Sequence, residues 1–437
     1  MTAPDAPASD APNAVRSRSP RSSTARLWGL RLTAVLVGLL LPLVVLECTL
    51  RLFGPILPGN YDTGAYLIRH ATLGHFHVPN FDGWIKAPEF TTRVEINPRG
   101  LRDRRQSYEK SPGTFRIVLL GDSFVEAVQV KQSEGVAERL EWALNQDASR
   151  PVEVVNAGVA AYGTTQELLL LDQMGAELDP DLVLVLFFVG NDVTNNNYRL
   201  ELWDGDLALA LKPYLDLRDD GSLRLIPGPP PSAQVGPAAL LRSCCALYNV
   251  IETGVYNKLD QNYPREKLEA IGGLRTPLTG LYDTQPEGEW ARAWRASEAL
   301  LARLRDRSAQ LGAPLVVVAA PDWRALHPAA WRDELQRGNP RSNRLDSGRL
   351  RIEAPTDRLG GIASRLGVSF VDLLPPLRAA MAEGAPLYLD FDKHWTAAGH
   401  AVAARAIHQG LRAQEHTAPF EPTARSETTD PPVEDLD

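Results

Sequence analysis

The chain has 437 residues and a net charge of −8, a balance that offers no basic face for nucleic acid. Hydrophobic residues make up 44% and charged residues 23%, the proportions of a globular protein that buries a core. Three cysteines are too few for a disulfide framework, and the adjacent Cys244 and Cys245 read as small buried side chains.

Residues 1–26 are rich in Ala, Pro, Ser and Arg without an apolar period, which predicts a disordered tail. Residues 27–54 read as a transmembrane signal anchor. No charge interrupts Leu32 to Leu46, and only Glu47 and Arg51 intrude before Phe53, close to the ~20 residues a bilayer span needs. Arg16, Arg18, Arg21, Arg26 and Arg31 precede the run and only Arg51 follows closely. That asymmetry predicts a cytoplasmic N-terminus and an extracytoplasmic, periplasmic remainder. No small-x-small cleavage pattern follows the run, and Glu47 before Cys48 does not fit a lipoprotein signal, so the anchor is expected to be retained.

Residues 55–111 read as a membrane-proximal segment that packs on the next domain, with a strand over 91–96 and a turn at 97–100. From 112 to 413 strands and helices alternate. The strands are expected at 116–120, 152–155, 182–189, 314–319 and 368–371, and the helices at 134–145, 164–174, 290–311, 357–366 and 396–412. This pattern predicts an α/β domain with a parallel sheet covered on both faces. Residues 195–288 break the rhythm and read as an insertion or lid with a helix over 239–248; residues 414–437 read as a second disordered tail.

The polar turns after the first three strands converge on the carboxyl edge of such a sheet, where ligands bind. Ser123, in Gly121-Asp122-Ser123-Phe124, is a candidate nucleophile that needs a nearby base to accept its proton. Its own N–H, the Gly158 N–H and the Asn191 side-chain amide are candidate oxyanion donors. His394, in Asp390-Phe391-Asp392-Lys393-His394, is the candidate base, with Asp392 or Asp390 able to orient it from the same side of an extended loop. His400 falls on the closing helix and reads as packing. His75 and His77 form a His-x-His pair with no evident third ligand, so no metal is expected. Trp323, Trp331 and Trp395 fit either a sugar site or core packing.

Four blocks in this order, around Ser123, Gly158, Asn191 and His394, resemble the SGNH hydrolases, the GDSL-type esterases and acyltransferases, over roughly residues 94–411. The resemblance implies a flavodoxin-like three-layer sandwich and serine chemistry without a cofactor. Asp392-Lys393-His394-Trp395 is similar to the Asp-x-His-Trp of alginate O-acetyltransferase relatives, which favours Asp392 as the acid and leaves Asp390 as the fallback. Phe124 stands where leucine is commoner. The segment 96–103 resembles one that precedes the nucleophile in membrane-anchored members. There Arg99, Arg102, Arg104 and Arg105 read as a solvated charged face, with an anionic substrate as the other reading. The implied reaction is hydrolysis or transfer of an acyl group, with acetyl on an extracytoplasmic polysaccharide as the expected target. The alternative is a non-catalytic polysaccharide-binding or assembly protein that keeps the fold.

Overall fold

A computed structural model describes residues 21–53, 66–203, 212–218, 220–228, 277–338 and 348–414. Residues 1–20 and 415–437, the helix expected over 239–248, and Cys244 and Cys245 lie outside the described residues. The helix Arg21–Phe53 leaves its apolar stretch, Arg26–Leu50, unburied. At 1.5 Å per residue those 25 residues reach about 38 Å, enough to cross the ~30 Å core of a bilayer.

Two antiparallel hairpins follow: β1 (Leu67–His70) pairs with β2 (Gly74–His77), and β3 (Asp82–Lys86) with β4 (Thr91–Glu95). In β4, Thr92 and Val94 turn inward while Thr91, Arg93 and Glu95 are exposed, the alternation read from the sequence. Ile85, Val94 and Ile96 pack with Tyr66 and Val128 in a small core of their own. Leu73, Phe76, Leu101 and Tyr108 join the main core, each such burial contributing about 1.5–3 kcal/mol. The hairpin segment therefore shares its apolar contacts with the sheet that follows.

That sheet begins with β5 (Phe115–Gly121), β6 (Val152–Gly158) and β7 (Leu182–Phe188). The insertion then supplies a third hairpin, β8 (Tyr214–Leu217) with β9 (Leu223–Ile226). β10 (Leu315–Ala320) and β11 (Ser369–Asp372) complete the sheet. Its spatial order is β11-β10-β7-β5-β6 and every pair is parallel. Counted along the parallel strands this is the flavodoxin-like order 2-1-3-4-5, with its switch point between β5 and β7.

These strands are continuous apolar runs because both faces are covered. Val118 and Leu120 of β5 face one core, and Ile117 and Leu119 the other. Helices Thr164–Leu178, Gly288–Gln310 and Ala354–Leu366 cover the first face; Val136–Asn145, Leu374–Ala382 and Ala397–Arg412 cover the second. The described part of the insertion is docked on the first face. Gln166 Nε2 donates to Pro213 O at 2.5 Å, and Arg292 Nη2 donates to Leu217 O at 2.5 Å.

Candidate active site

The turn that carries Ser123, the candidate nucleophile, is built by close packing. A Cβ on Gly121 would meet Val125 Cγ2 at 2.4 Å, so glycine alone lets β5 pass directly into the short helix Ser123–Glu126. Asp122 caps that helix by accepting the Phe124 N–H at 2.9 Å. The Ser123 N–H has no partner among the described residues. The helix ends at Ala127 in the left-handed region, φ 59°. Arg102 is buried beneath this end and donates to Glu126 O at 2.7 Å, Ala127 O at 2.5 Å and Val130 O at 2.8 Å. A cation at the C-terminus of a helical turn satisfies carbonyls that have no helical partner.

This corrects the reading of Arg102 and Arg105 as part of a solvated face or a substrate contact, while Arg99 and Arg104 remain exposed as that reading expects. Arg102 is internal, Arg105 is mostly covered and pairs with Asp103 and Glu141, and Arg99 pairs with Glu177. The His-x-His pair is likewise spoken for. His77 lies 2.8 Å by Nδ1 from Gly100 O and 2.6 Å by Nε2 from Glu126 Oε1, behind the nucleophile. His75 Nε2 lies 2.7 Å from Ala160 O, and burial pushes its pKa down to about 4, so it stays neutral. His400 is buried edge-on against Trp395, its pKa lowered by burial to about 3.

The candidate base, His394, arrives on the loop that joins Leu389 to Trp395. A bridge between Tyr388 and Trp395 and the Leu389 N–H on His394 O, at 2.9 Å, close the loop. His394 Nε2 lies 2.7 Å from Ser123 Oγ, and its Nδ1 lies 2.5 Å from Asp392 Oδ1. Asp392 also accepts the His394 backbone N–H at 3.1 Å. Asp390 is exposed, and the imidazole is held by Asp392 rather than by it. The Phe124 ring packs against the imidazole with 4.8 Å between centroids, and Trp395 sits edge-on to Phe124 at 4.9 Å. Burial opposes charging of His394, but the hydrogen bond and charge of Asp392, with the charges of Asp122 and Glu126, outweigh it and raise its pKa.

The three expected oxyanion donors fare differently. The Ser123 N–H is unpaired among the described residues. Asn191 follows β7 across the switch point from Ser123; its amide lies beside the Asp122 carboxylate, and its Oδ1 has no partner among the described residues. Gly158 departs from expectation, because its N–H donates to Asn156 Oδ1 at 3.0 Å. Its lack of a side chain serves packing instead: a Cβ there would meet Glu126 N at 2.3 Å and Val125 C at 2.6 Å, the backbone of the nucleophile helix. Further along the same turn, the N–H groups of Ala160 and Ala161 have no partner among the described residues, and Ala161 is left-handed at φ 58°. Lys212, buried, anchors that turn from the insertion by donating to Ala161 O at 2.6 Å while paired with Glu201 at 2.8 Å.

Asp122 itself is buried, and desolvation pushes its pKa up to about 6 against the Phe124 N–H and His394. Glu167 and Asp192, buried nearby, are also raised well above the usual carboxylate range by desolvation and by the charge of Asp122. Trp331 and Trp395 are core residues; Trp323 is partly open, with Lys393 Nζ 4.1 Å from its ring centre. Of the five non-glycine residues with positive φ among the described residues, Ala127, Ala161 and Lys393 each adjoin a site element. Strain of this kind concentrates where surrounding contacts over-determine the backbone. Sequence reasoning missed Arg102 as a buried cap, the two free alanine amides and Glu89, whose carboxylate accepts the Asp392 N–H at 2.7 Å.

Residues 281–436 match the family model described as ALGX, SGNH hydrolase-like domain, acetyltransferase AlgX. The matched stretch holds Asp392 and His394 and lies C-terminal to Ser123, Gly158 and Asn191. No curated protein matches the chain. Solved structures overlap loosely. The TesA crystal structure is 14% identical and overlaps 68% of this chain and 98% of its own, with a TM-score of 0.35. An α/β hydrolase, LAE5, from the metagenome of Lake Arreo in Spain is 15% identical over 72% of this chain and all of its own, TM-score 0.36. The acetylxylan esterase Axe2 of Geobacillus stearothermophilus is 12% identical over 68% and 93%, TM-score 0.35.

Proposed function

We propose that this chain, which belongs through its C-terminal part to the SGNH hydrolase-like family, uses Ser123 to hydrolyse or transfer an ester-linked acyl group. One observation carries the reading: the imidazole of His394 lies within hydrogen-bond reach of both Ser123 Oγ and Asp392 Oδ1. Nδ1 carries the hydrogen given to Asp392, which leaves the Nε2 lone pair to take the Ser123 proton. Oγ attacks the ester carbonyl, and the tetrahedral oxygen is held by the Ser123 N–H and one hydrogen of the Asn191 amide. The third donor comes from the turn of Ala160 and Ala161, since the Gly158 N–H is committed to Asn156. His394 then returns its proton to the leaving oxygen. Water or an acceptor hydroxyl, deprotonated by the same His394, releases the acyl group and restores Ser123. No step in this scheme calls for a metal or cofactor.

The acyl group we favour is acetyl, after the acetyltransferase description of the matched family. The acceptor side we favour is a polysaccharide outside the cytoplasm, because the arginines ahead of the apolar helix favour a cytoplasmic N-terminus. The full-length chain in detergent should turn over p-nitrophenyl acetate, and Ser123→Ala should lower that rate by ~10⁴ or more. A fluorophosphonate probe should form its adduct at Ser123. Absence of turnover and of adduct would leave a binding or assembly role instead. Faster release of nitrophenol on adding an oligosaccharide, with acetylated sugar as product, would identify a transferase.

A further inference from the structure

A carboxylate from a distant hairpin sits against the loop that carries Asp392 and His394. Glu89 lies on the turn between β3 and β4, 301 residues before Asp390. Its Oε1 accepts the Asp390 N–H at 2.6 Å; its Oε2 accepts the Phe391 N–H at 2.9 Å and the Asp392 N–H at 2.7 Å. Three successive backbone N–H groups converging on one anion form a nest, and all three lose their partner together when the anion leaves. Hydrogen bonds to a charged acceptor at these lengths are about twice as strong as neutral ones.

Beyond the bridge at its root and the contacts of Asp392 and His394, the outer part of the loop is weakly packed. Phe391 at its tip is 75% exposed, so apolar packing does little to hold it. Lys393 stands in the left-handed region at φ 66°, with its Nζ on Asp390 O and above the Trp323 ring. Exposed backbone with so little packing opens at low free energy unless its donors are tied.

We propose that Glu89 is a positioning residue for the reaction: it fixes the backbone of 390–392, and through Asp392 it holds His394 against Ser123. The proposal rests on the reading of Ser123, His394 and Asp392 as the reacting group. Glu89 touches none of the reacting atoms. Its effect passes through the Asp392 N–H, one residue pair away from the imidazole. The second hairpin after the apolar helix thereby supplies part of the support of the base, while the nucleophile is supported from within the sheet. Misplacing a reacting group by about 1 Å costs up to ~10² in rate.

The test uses the full-length chain in detergent, with p-nitrophenyl acetate turnover and fluorophosphonate labelling of Glu89→Ala, Glu89→Gln, Glu89→Asp and the control Glu95→Gln from the same hairpin. Glu89→Ala should lower kcat by about 10-fold or more, leave KM within about twofold, and slow labelling of Ser123 in proportion. Glu89→Gln should fall with it, since its amide N–H groups face backbone donors, while Glu89→Asp should recover most of the rate. A looser Asp392 supports the imidazolium less, so the acid limb of the pH profile should move to lower pH with an unchanged Tm. Equal kcat in Glu89→Ala and wild type, with Ser123 still labelled, would overturn the proposal alone. A loss matched by Glu95→Gln and by a fall in Tm, with no shift of the acid limb, would reduce Glu89 to a structural contact. No adduct at Ser123 in the wild type would remove the site reading and this proposal with it.

Discussion

The two halves of the candidate site are held by different means. Ser123 stands on a strand-to-helix turn whose neighbours are buried backbone: Gly121 against Val125, Gly158 against Glu126, and Arg102 on the carbonyls that end the helix. Its position follows from packing density, which tolerates almost no displacement. His394 stands on a loop with an exposed tip, fixed mainly by polar contacts from Asp392, from Glu89 and from the bridge at its root, beside the Phe124 ring on its imidazole. The candidate nucleophile is set by the sheet and the candidate base by attachments made to it. A defect near Ser123 should therefore appear first as lost stability, and a defect near His394 as lost rate.

The largest effect that sharpens this contrast belongs to the acid. Asp392→Asn should lower kcat/KM by ~10³ or more, because the imidazole loses its tautomer and orientation. Asp390→Asn should stay within about twofold; equal losses in the two would return the assignment to Asp390. Gly158→Ala should cost about 3 kcal/mol in chemical denaturation, since the added Cβ meets backbone rather than a movable side chain. Ser123 should then be displaced along with its helix. Stability near the wild-type value would mean that β6 can shift and that the nucleophile is held less rigidly than its packing implies.

Asp122 gives a smaller effect with a defined sign. Its folded pKa of about 6 lies above the ordinary carboxylate value, so the folded state holds the proton more tightly than the unfolded chain. Its contribution to stability is full below about pH 4 and falls as pH rises through 6. Asp122→Asn, which keeps an oxygen for the Phe124 N–H, should gain about 1–3 kcal/mol at pH 7.5 relative to wild type and almost nothing at pH 4, a buffered comparison that unfolding midpoints can read. The same change removes a negative charge that raises the His394 pKa, so the acid limb of activity should move down.

Most of the sheet was legible because buried parallel strands announce themselves as unbroken apolar runs ended by glycine. The expected strands at 116–120 and 182–189 fall within two residues of Phe115–Gly121 and Leu182–Phe188. The strand order was not legible from periodicity, which carries no information about neighbours. Ser123, His394 and Asp392 stood out as candidates because their spacing forms an ordered set, and the structure brings the three together. For Gly158 the structure shows an N–H given to Asn156 and close packing on the Ser123 helix, and a glycine that allows close packing and one that offers its N–H look the same in a sequence. Arg102 was read as surface because a buried arginine leaves no periodic mark. Glu89 left no signal at all, since its partners are backbone N–H groups far along the chain, and any residue there would present them.

The contact between Ser123 and His394 spans 271 residues of chain. Such non-local closure is slow to form, because loop entropy is spent before the contact rewards it. A chain emerging from a ribosome or a translocation channel would carry its serine for most of that time without a base. On the proposed reading the chain is therefore latent toward esters until the loop ahead of its last helix docks. Any fraying of that helix in the mature protein would return it to silence with the serine still in place.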